Sequence, residues 1–175
     1  VKEEGIIAAL EAGVASIEHG SYTGPRAIKL FKETGAYLVP TLLAGKTVVT
    51  MSIESDIFSP AIKEKAIRVG NDMAGSFAEA HKAGVNIAYG TDSGVSAHGR
   101  NAEEAVLMVA AGMSEMDVIV SATINAADLI DMSDSIGTIE AGKFADIIAV
   151  RGDVLRNPGL LQSVDVVIKR GRRVR

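Results

Sequence analysis

In the first half of the chain, short apolar runs typical of strands alternate with segments in which apolar residues recur at helical spacing. Short apolar runs that end in polar residues predict strands at 14–19, 36–41 and 85–92. Segments with helical spacing lie before and between these runs, and the longest begins at Pro60 and ends near Gly84. Because strand and helix alternate in this way, the pattern predicts an α/β fold with a parallel sheet.

Residues 41–59 show neither the helical nor the strand period. An irregular stretch of this length inside a compact domain is often a functional loop, so we interpret it as a candidate lid. Helices are predicted again at 101–111 and 114–131, and Ser114 and Asp117 have the spacing of a capping box at the second of them.

The pattern changes after Ser135, where short apolar runs are separated by Gly-rich turns without intervening helices. We therefore predict two units, 1–133 and 134–175, with β-structure in the second. Its predicted strands lie at 136–139, 145–150 and 164–169.

The amino-acid composition and the net charge exclude several classes of protein and several kinds of partner. The 175 residues are 47% hydrophobic and include no Cys, which excludes a disordered chain, a disulfide scaffold, thiol catalysis and Cys-ligated metal. The net charge is −4 and no basic stripe precedes the last seven residues, so neither nucleic acid nor an anionic membrane is expected as a partner. A small-molecule substrate is the better expectation. The compartment stays open, with the cytoplasm favoured over secretion.

Two polar residues end apolar runs, where α/β barrels place their working groups. His19 closes the first predicted strand and Asp92 closes the third. Taken singly, His19 fits a hydrogen-bonded structural histidine, Asp92 fits a turn or cap, and the neighbouring Glu18 fits a side chain facing the helix layer or solvent. Together, an imidazole and a carboxylate at the ends of two strands favour a divalent-metal site.

Five stretches in a fixed order carry a family resemblance across nearly the whole chain. They are residues 5–20, 35–41, 83–92, 122–127 and 137–150. In these stretches the chain resembles the amidohydrolase superfamily, in its Xaa-Pro dipeptidase and imidazolonepropionase-like branch. The resemblance implies the C-terminal part of a (β/α)₈ TIM-type barrel, with strands six to eight and their helices, followed by short strands of an accessory β-sandwich.

The same resemblance implies a centre with one or two divalent ions, expected to be zinc. His19 is similar to the metal ligand on the sixth strand, and Asp92 to the ligand on the eighth strand that also shuttles a proton. The family's other ligands would precede Val1, so we expect the chain alone to be inactive. His98 lies on a presumed active-site loop and is a candidate substrate-binding residue, with an exposed loop histidine as the alternative.

The resemblance also implies hydrolysis of a carbon–nitrogen bond, as in a dipeptidase or carboxypeptidase acting on a dipeptide or an N-acyl amino acid. The expected partners are that substrate, the N-terminal half of the same enzyme and further copies in a homo-oligomer. Two alternatives stay open, a cyclic amide hydrolase of the imidazolonepropionase type and a non-catalytic folding or assembly fragment. A metal-free Schiff-base enzyme is disfavoured because the predicted strand ends offer no lysine.

Overall fold

A computed structural model describes residues 2–56 and 58–175 of the chain. Its helices, in chain order, are α1 (Glu3–Glu11), α2 (Pro25–Thr34), α3 (Leu42–Glu54), α4 (Pro60–Lys82), α5 (Glu103–Ala110), α6 (Glu115–Val120) and α7 (Ala126–Leu129), with a π-helical turn at Ser121–Asn125. Its strands are β1 (Ser16–Glu18), β2 (Tyr37–Val39), β3 (Asn86–Ile87), β4 (Ile147–Ala149), β5 (Val166–Lys169) and β6 (Arg172–Arg173), and a 3₁₀ turn covers Pro158–Gln162. Over the described ranges, none of the helices has the length and apolar character that crossing a bilayer requires.

The first three strands form a parallel sheet in the order β1-β2-β3, which confirms the predicted α/β class. Ile17, Leu38 and Ile87 lie side by side in its register. The chain crosses from β1 to β2 through α2, and from β2 to β3 through α3 and α4. Because the strands are parallel, their carboxyl ends meet at one edge of the sheet.

The core lies between this sheet and the helices, and it is largely aliphatic, as the composition predicts. Its largest fully buried side chains are Phe31 of α2 and Phe77 of α4. His81 stacks on Phe77 with the ring centroids 6.2 Å apart. Local signals define the helix ends: Pro25 begins α2, Gly35 ends it in a left-handed conformation, and Ser114 caps α6.

The interpretation of 41–59 as an irregular loop is wrong, because most of this stretch is the helix α3. Its sequence carries weak helix formers, and α3 is instead stabilised by packing along α4. The two helices approach closely where both lack a side chain. A Cβ at Gly70 would overlap Val49 Cγ2 and lie 3.1 Å from the carbonyl oxygen of Gly45.

Residues 147–173 form a separate antiparallel sheet in the order β4-β5-β6. The strand predicted at 136–139 is absent from this part of the chain, and Ile139 is 84% exposed. A strand needs a neighbour to accept its backbone hydrogen bonds, and 136–139 finds none among the described residues. The division near residue 133 stays a prediction.

Candidate functional site

Three non-glycine residues beyond the carboxyl ends of the parallel strands have left-handed conformations. His19, with a φ of 71°, directly follows β1; Thr41, with a φ of 48°, lies two residues past β2; and Asp92, with a φ of 50°, lies five residues past β3. Such backbone is uncommon outside glycine and costs free energy, most of all for β-branched threonine. Strain of this kind clusters at functional sites, because the surrounding structure has to hold it in place. The sheet edge at which the sequence predicts the functional residues is therefore also the edge with strained backbone.

The His19 side chain is held by a single hydrogen bond to a neighbouring strand end. Its Nδ1 lies 2.7 Å from Thr41 Oγ1, and its backbone N–H donates to the Val39 carbonyl at 2.9 Å. These contacts fix the ring orientation and leave Nε2 as the nitrogen available to a ligand. The partner of His19 could not be named from the sequence, since Thr41 is 22 positions away and sits at what reads as the start of a loop.

Asp92 is positioned by the turn that it opens. Its carbonyl accepts a hydrogen bond from the Val95 N–H at 3.2 Å, and the Gly94 N–H donates to the Ser96 carbonyl at 3.1 Å. Asn101 ties the turn to the following helix by donating to Ser93 Oγ at 2.8 Å. The Asp92 carboxylate is exposed, and within the described part of the chain it makes no hydrogen bond or ion pair of its own. The carboxylate is therefore free to bind a ligand.

His19 and Asp92 line the same cavity, of about 330 Å³. The structure thus brings these two predicted site residues together. Most of the opposite wall comes from small or apolar residues of α3 and α4: Ala44, Gly45, Val48, Ala66, Val69, Gly70 and Met73. His98 is exposed and does not line this cavity, so its role in substrate binding stays a prediction. Glu18 points outward, as expected, and accepts a hydrogen bond from Ser16.

The donor set suits a divalent ion. An imidazole with one nitrogen already engaged and an unpaired carboxylate are the ligand types that zinc and related ions take, and the engaged nitrogen orients the free one. Over residues 2–56 and 58–175, no group of three or more His, Asp or Glu side chains is assembled. The residues described here would therefore contribute two ligands, with the rest of the coordination supplied from elsewhere.

Sequence reasoning missed a buried carboxylate beside this site. Glu104 of α5 is fully buried, and its two oxygens accept the Leu42 and Leu43 N–H groups at 2.7 Å each. Burial raises the pKa of Glu104 to about 7, although the two N–H donors work in the opposite direction. An acidic residue in the first turn of a helix usually complements the helix dipole at the surface, so the sequence carried no signal for this contact.

Tyr89 lies next to Glu104 and fixes the start of α5. Its hydroxyl donates to the Asn101 carbonyl at 2.6 Å and accepts from the Ala105 N–H at 3.2 Å. Burial, and then the nearby Glu104 charge, raise the pKa of Tyr89, so the phenol stays protonated at neutral pH. The end of β3 and the position of Glu104 are therefore tied together.

A larger apolar groove, of about 690 Å³, lies away from His19 and Asp92. It runs between α6 with the π-helical turn and the segment around β4, and neither candidate ligand lines it. Ile139, Phe144 and Ile148 along it are all exposed. The groove is therefore lined largely by the C-terminal segment, and it is separate from the cavity that His19 and Asp92 line.

The model of the amidohydrolase family matches residues 2–174. The chain belongs to the amidohydrolase family. An uncharacterized protein of Mycobacterium tuberculosis is 30% identical over 97% of this chain and 45% of its own length. Ochratoxinase of Aspergillus niger is 31% identical over 93% of this chain and 34% of its own length. This amidohydrolase chain thus spans less than half the length of these curated relatives.

Solved structures of other amidohydrolases superpose closely on the chain. A Xaa-Pro dipeptidase with methionine bound in its active site matches with a TM-score of 0.94 and 44% identity, covering 97% of this chain and 42% of that one. A prolidase complexed with N-methylphosphonate-L-proline matches with a TM-score of 0.88 and 27% identity, covering 99% of this chain and 43% of that one. This chain therefore covers less than half of each of these structures.

Proposed function

We propose that this chain carries the C-terminal half of the active site of a metal-dependent amidohydrolase of the Xaa-Pro dipeptidase or carboxypeptidase type. The observation that carries the proposal is that His19 and Asp92, at the ends of β1 and β3, line one cavity. In this reading β1, β2 and β3 are strands six to eight of a (β/α)₈ barrel, and residues 134–175 are part of an accessory β-sandwich.

Each site residue then has a defined task. His19 would hold a divalent ion, expected to be zinc, through Nε2 while Thr41 holds Nδ1, and Asp92 would be the second ligand from this chain. When bound there, the ion would supply Lewis-acid chemistry, activating a water and polarising the scissile carbonyl. The Asp92 carboxylate would take a proton from the attacking water and pass it to the leaving amine.

The apolar wall of the cavity favours a substrate with an apolar side chain beside the scissile bond. Ala44, Val48 and Met73 are examples of the side chains that form it. One similar structure is a Xaa-Pro dipeptidase that holds methionine, whose side chain has this character. We therefore expect Xaa-Pro dipeptides and N-acyl amino acids with apolar side chains as substrates.

Two ligands are fewer than the three protein ligands of a usual catalytic zinc site. We therefore expect this chain alone to lack hydrolase activity and the remaining ligands to come from the other half of the same enzyme. A non-catalytic assembly role predicts instead that the intact protein binds no metal.

The test compares two aspartates with the same backbone conformation in the intact protein. Asp92→Asn should lower kcat by about 10²–10⁴-fold, because a positioned general base is lost. Asp131 is exposed, has a φ of 56° and lies outside the cavity, so Asp131→Asn is the matched control and should keep kcat.

The assay uses Xaa-Pro dipeptides, N-acyl amino acids and a cyclic amide at saturating zinc, with the melting temperature of each variant checked. If Asp92→Asn keeps more than about a tenth of the parental kcat, Asp92 is not the base. If the enzyme hydrolyses only the cyclic amide, it is a cyclic amide hydrolase of the imidazolonepropionase type and not a dipeptidase.

A further inference from the structure

The N-terminus of α3 is capped in an unusual way. Its first two N–H groups, of Leu42 and Leu43, each donate to one oxygen of Glu104. The Ala44 N–H donates to the Thr41 carbonyl at 3.1 Å, and the Gly45 N–H makes the first regular helical bond to the same carbonyl at 3.3 Å. The first three N–H groups of α3, which have no regular acceptor inside the helix, are therefore satisfied without the Thr41 side chain.

A threonine that caps a helix with its own hydroxyl has extended backbone, whereas Thr41 is left-handed, with a φ of 48° and a ψ of 42°. Thr41 is buried at 2% exposure, makes no capping bond, and places Oγ1 2.7 Å from His19 Nδ1. We propose that Glu104 is a positioning residue for His19: by accepting hydrogen bonds from the N–H groups of the two residues directly after Thr41, it holds the left-handed backbone that places the Thr41 hydroxyl against Nδ1. This inference rests on the proposed function, in which Nε2 of His19 binds the metal.

Metal binding would set the direction of the hydrogen bond. If Nε2 offers its lone pair to a metal, Nδ1 carries the proton and donates it to Thr41 Oγ1, whereas in the metal-free protein the hydroxyl can also donate to Nδ1. In either direction the bond to Thr41 orients the imidazole ring. Glu104 is also tied, through α5 and Tyr89, to the segment between β3 and Asp92.

A glutamine at position 104 would keep the size of the side chain and lose one acceptor. One of the two N–H groups would then lack a partner, so the backbone after Thr41 would be held by one hydrogen bond to position 104 instead of two. Left-handed backbone at a β-branched residue is costly, so Thr41 would relax away from it and His19 would lose the contact at Nδ1. Glu104→Gln is therefore expected to change the position of His19 without contacting it.

The first measurement is the affinity of the intact protein for Zn²⁺, determined by competition with a chelator at pH 8. Thr41→Val keeps the β-branch, and with it the backbone strain, and should weaken binding by about 10–100-fold, whereas Thr41→Ser should restore it. Glu104→Gln should weaken binding by about tenfold. The controls are Thr47→Val, whose hydroxyl bonds only the Leu43 carbonyl, and Glu103→Gln on the adjacent surface.

The second measurement is the exchange with water of the His19 Nδ1–H proton in the Zn²⁺-loaded protein, read by NMR, with His19→Asn used to assign the signal. The proton should exchange slowly in the parent, where Thr41 Oγ1 would accept it, and faster in Thr41→Val and Glu104→Gln. Because Glu104 acts through Thr41, the double variant should bind Zn²⁺ no more weakly than Thr41→Val alone.

Each outcome decides one of the two hypotheses. If His19→Asn leaves Zn²⁺ binding unchanged, the proposed function fails. If His19→Asn abolishes binding while Glu104→Gln leaves the exchange rate of the Nδ1–H proton and the Zn²⁺ affinity at parental values, the positioning role of Glu104 is wrong. Losses that multiply in the double variant would overturn it equally. If Glu104→Gln does not fold, Glu104→Asp, which retracts the carboxylate by one methylene, takes its place under the same criteria.

Discussion

Replacing Glu104 by glutamine should change how the stability of the protein depends on pH. The side chain is fully buried and its pKa is raised from 4.5 to about 7, chiefly by burial. The folded protein therefore binds a proton more tightly than the unfolded chain does. The stabilisation linked to this proton is complete below about pH 4.5 and is lost as the pH rises through about 7.

The interval between 4.5 and about 7 corresponds to roughly 3 kcal/mol, at about 1.4 kcal/mol per pH unit. Glutamine resembles the protonated acid and does not ionise, so the variant lacks this loss. At pH 5 the two proteins should unfold with free energies within about 1 kcal/mol of each other, since neither carries a buried charge there. At pH 8 the variant should be the more stable of the two by up to roughly 3 kcal/mol.

The assay is urea unfolding of the metal-free intact protein from pH 5 to pH 8, with the parent and the variant in parallel. A chelator removes the stabilisation that bound metal would add. Glu103→Gln is the control, because Arg100 lowers the pKa of Glu103 and its pH effect has the opposite sign. Unfolding free energies that differ by a constant amount over the whole range would refute the reasoning, because a raised pKa requires the difference to change with pH.

Two further predictions concern the ligand and the helix contact. His19→Asn should lower the metal stoichiometry found by elemental analysis of the intact protein, while His81→Asn, which removes only the stacking on Phe77, should not; equal metal content in both variants would rule out a ligand role. Gly70→Ala should cost about 1–3 kcal/mol, seen as a lower melting temperature, because its methyl group meets α3. Gly75→Ala on the same helix faces open space and should be neutral or stabilising, so a comparable loss at both positions would show that the close helix contact is not the cause.

The strand ends could be predicted from the sequence, but the helix α3 and the contacts around the strand ends could not. The parallel sheet and the placement of His19 and Asp92 follow from short apolar runs, which are local patterns. The helix α3 could not be predicted, because Thr47, Val48 and Val49 disfavour a helix and only its packing on α4 compensates. The reverse error at 136–139 has the same origin, since an apolar run becomes a strand only where a neighbour pairs with it.

The hydrogen-bonded support of His19 was also beyond the sequence, for a reason of distance. Thr41 lies 22 positions from His19, and Glu104 lies 62 positions from the N–H of Leu42 that it caps. Neither spacing belongs to a local sequence motif, so these contacts form only when the fold brings the three parallel strands and their helices together. The proposed ligands His19 and Asp92 end apolar runs and could be picked out from the sequence, whereas Thr41, which hydrogen-bonds His19, could not.

The left-handed backbone at His19, Thr41 and Asp92 has a consequence for engineering this protein. Each of these positions costs about 1–3 kcal/mol, and glycine would relieve much of that cost. A library selected for heat resistance alone would therefore enrich glycine at these three strand ends, with the β-branched Thr41 the first to be replaced. The most heat-resistant variants would then lack the proposed metal ligands His19 and Asp92 and the supporting Thr41. These three codons should therefore not be varied when the protein is engineered for stability.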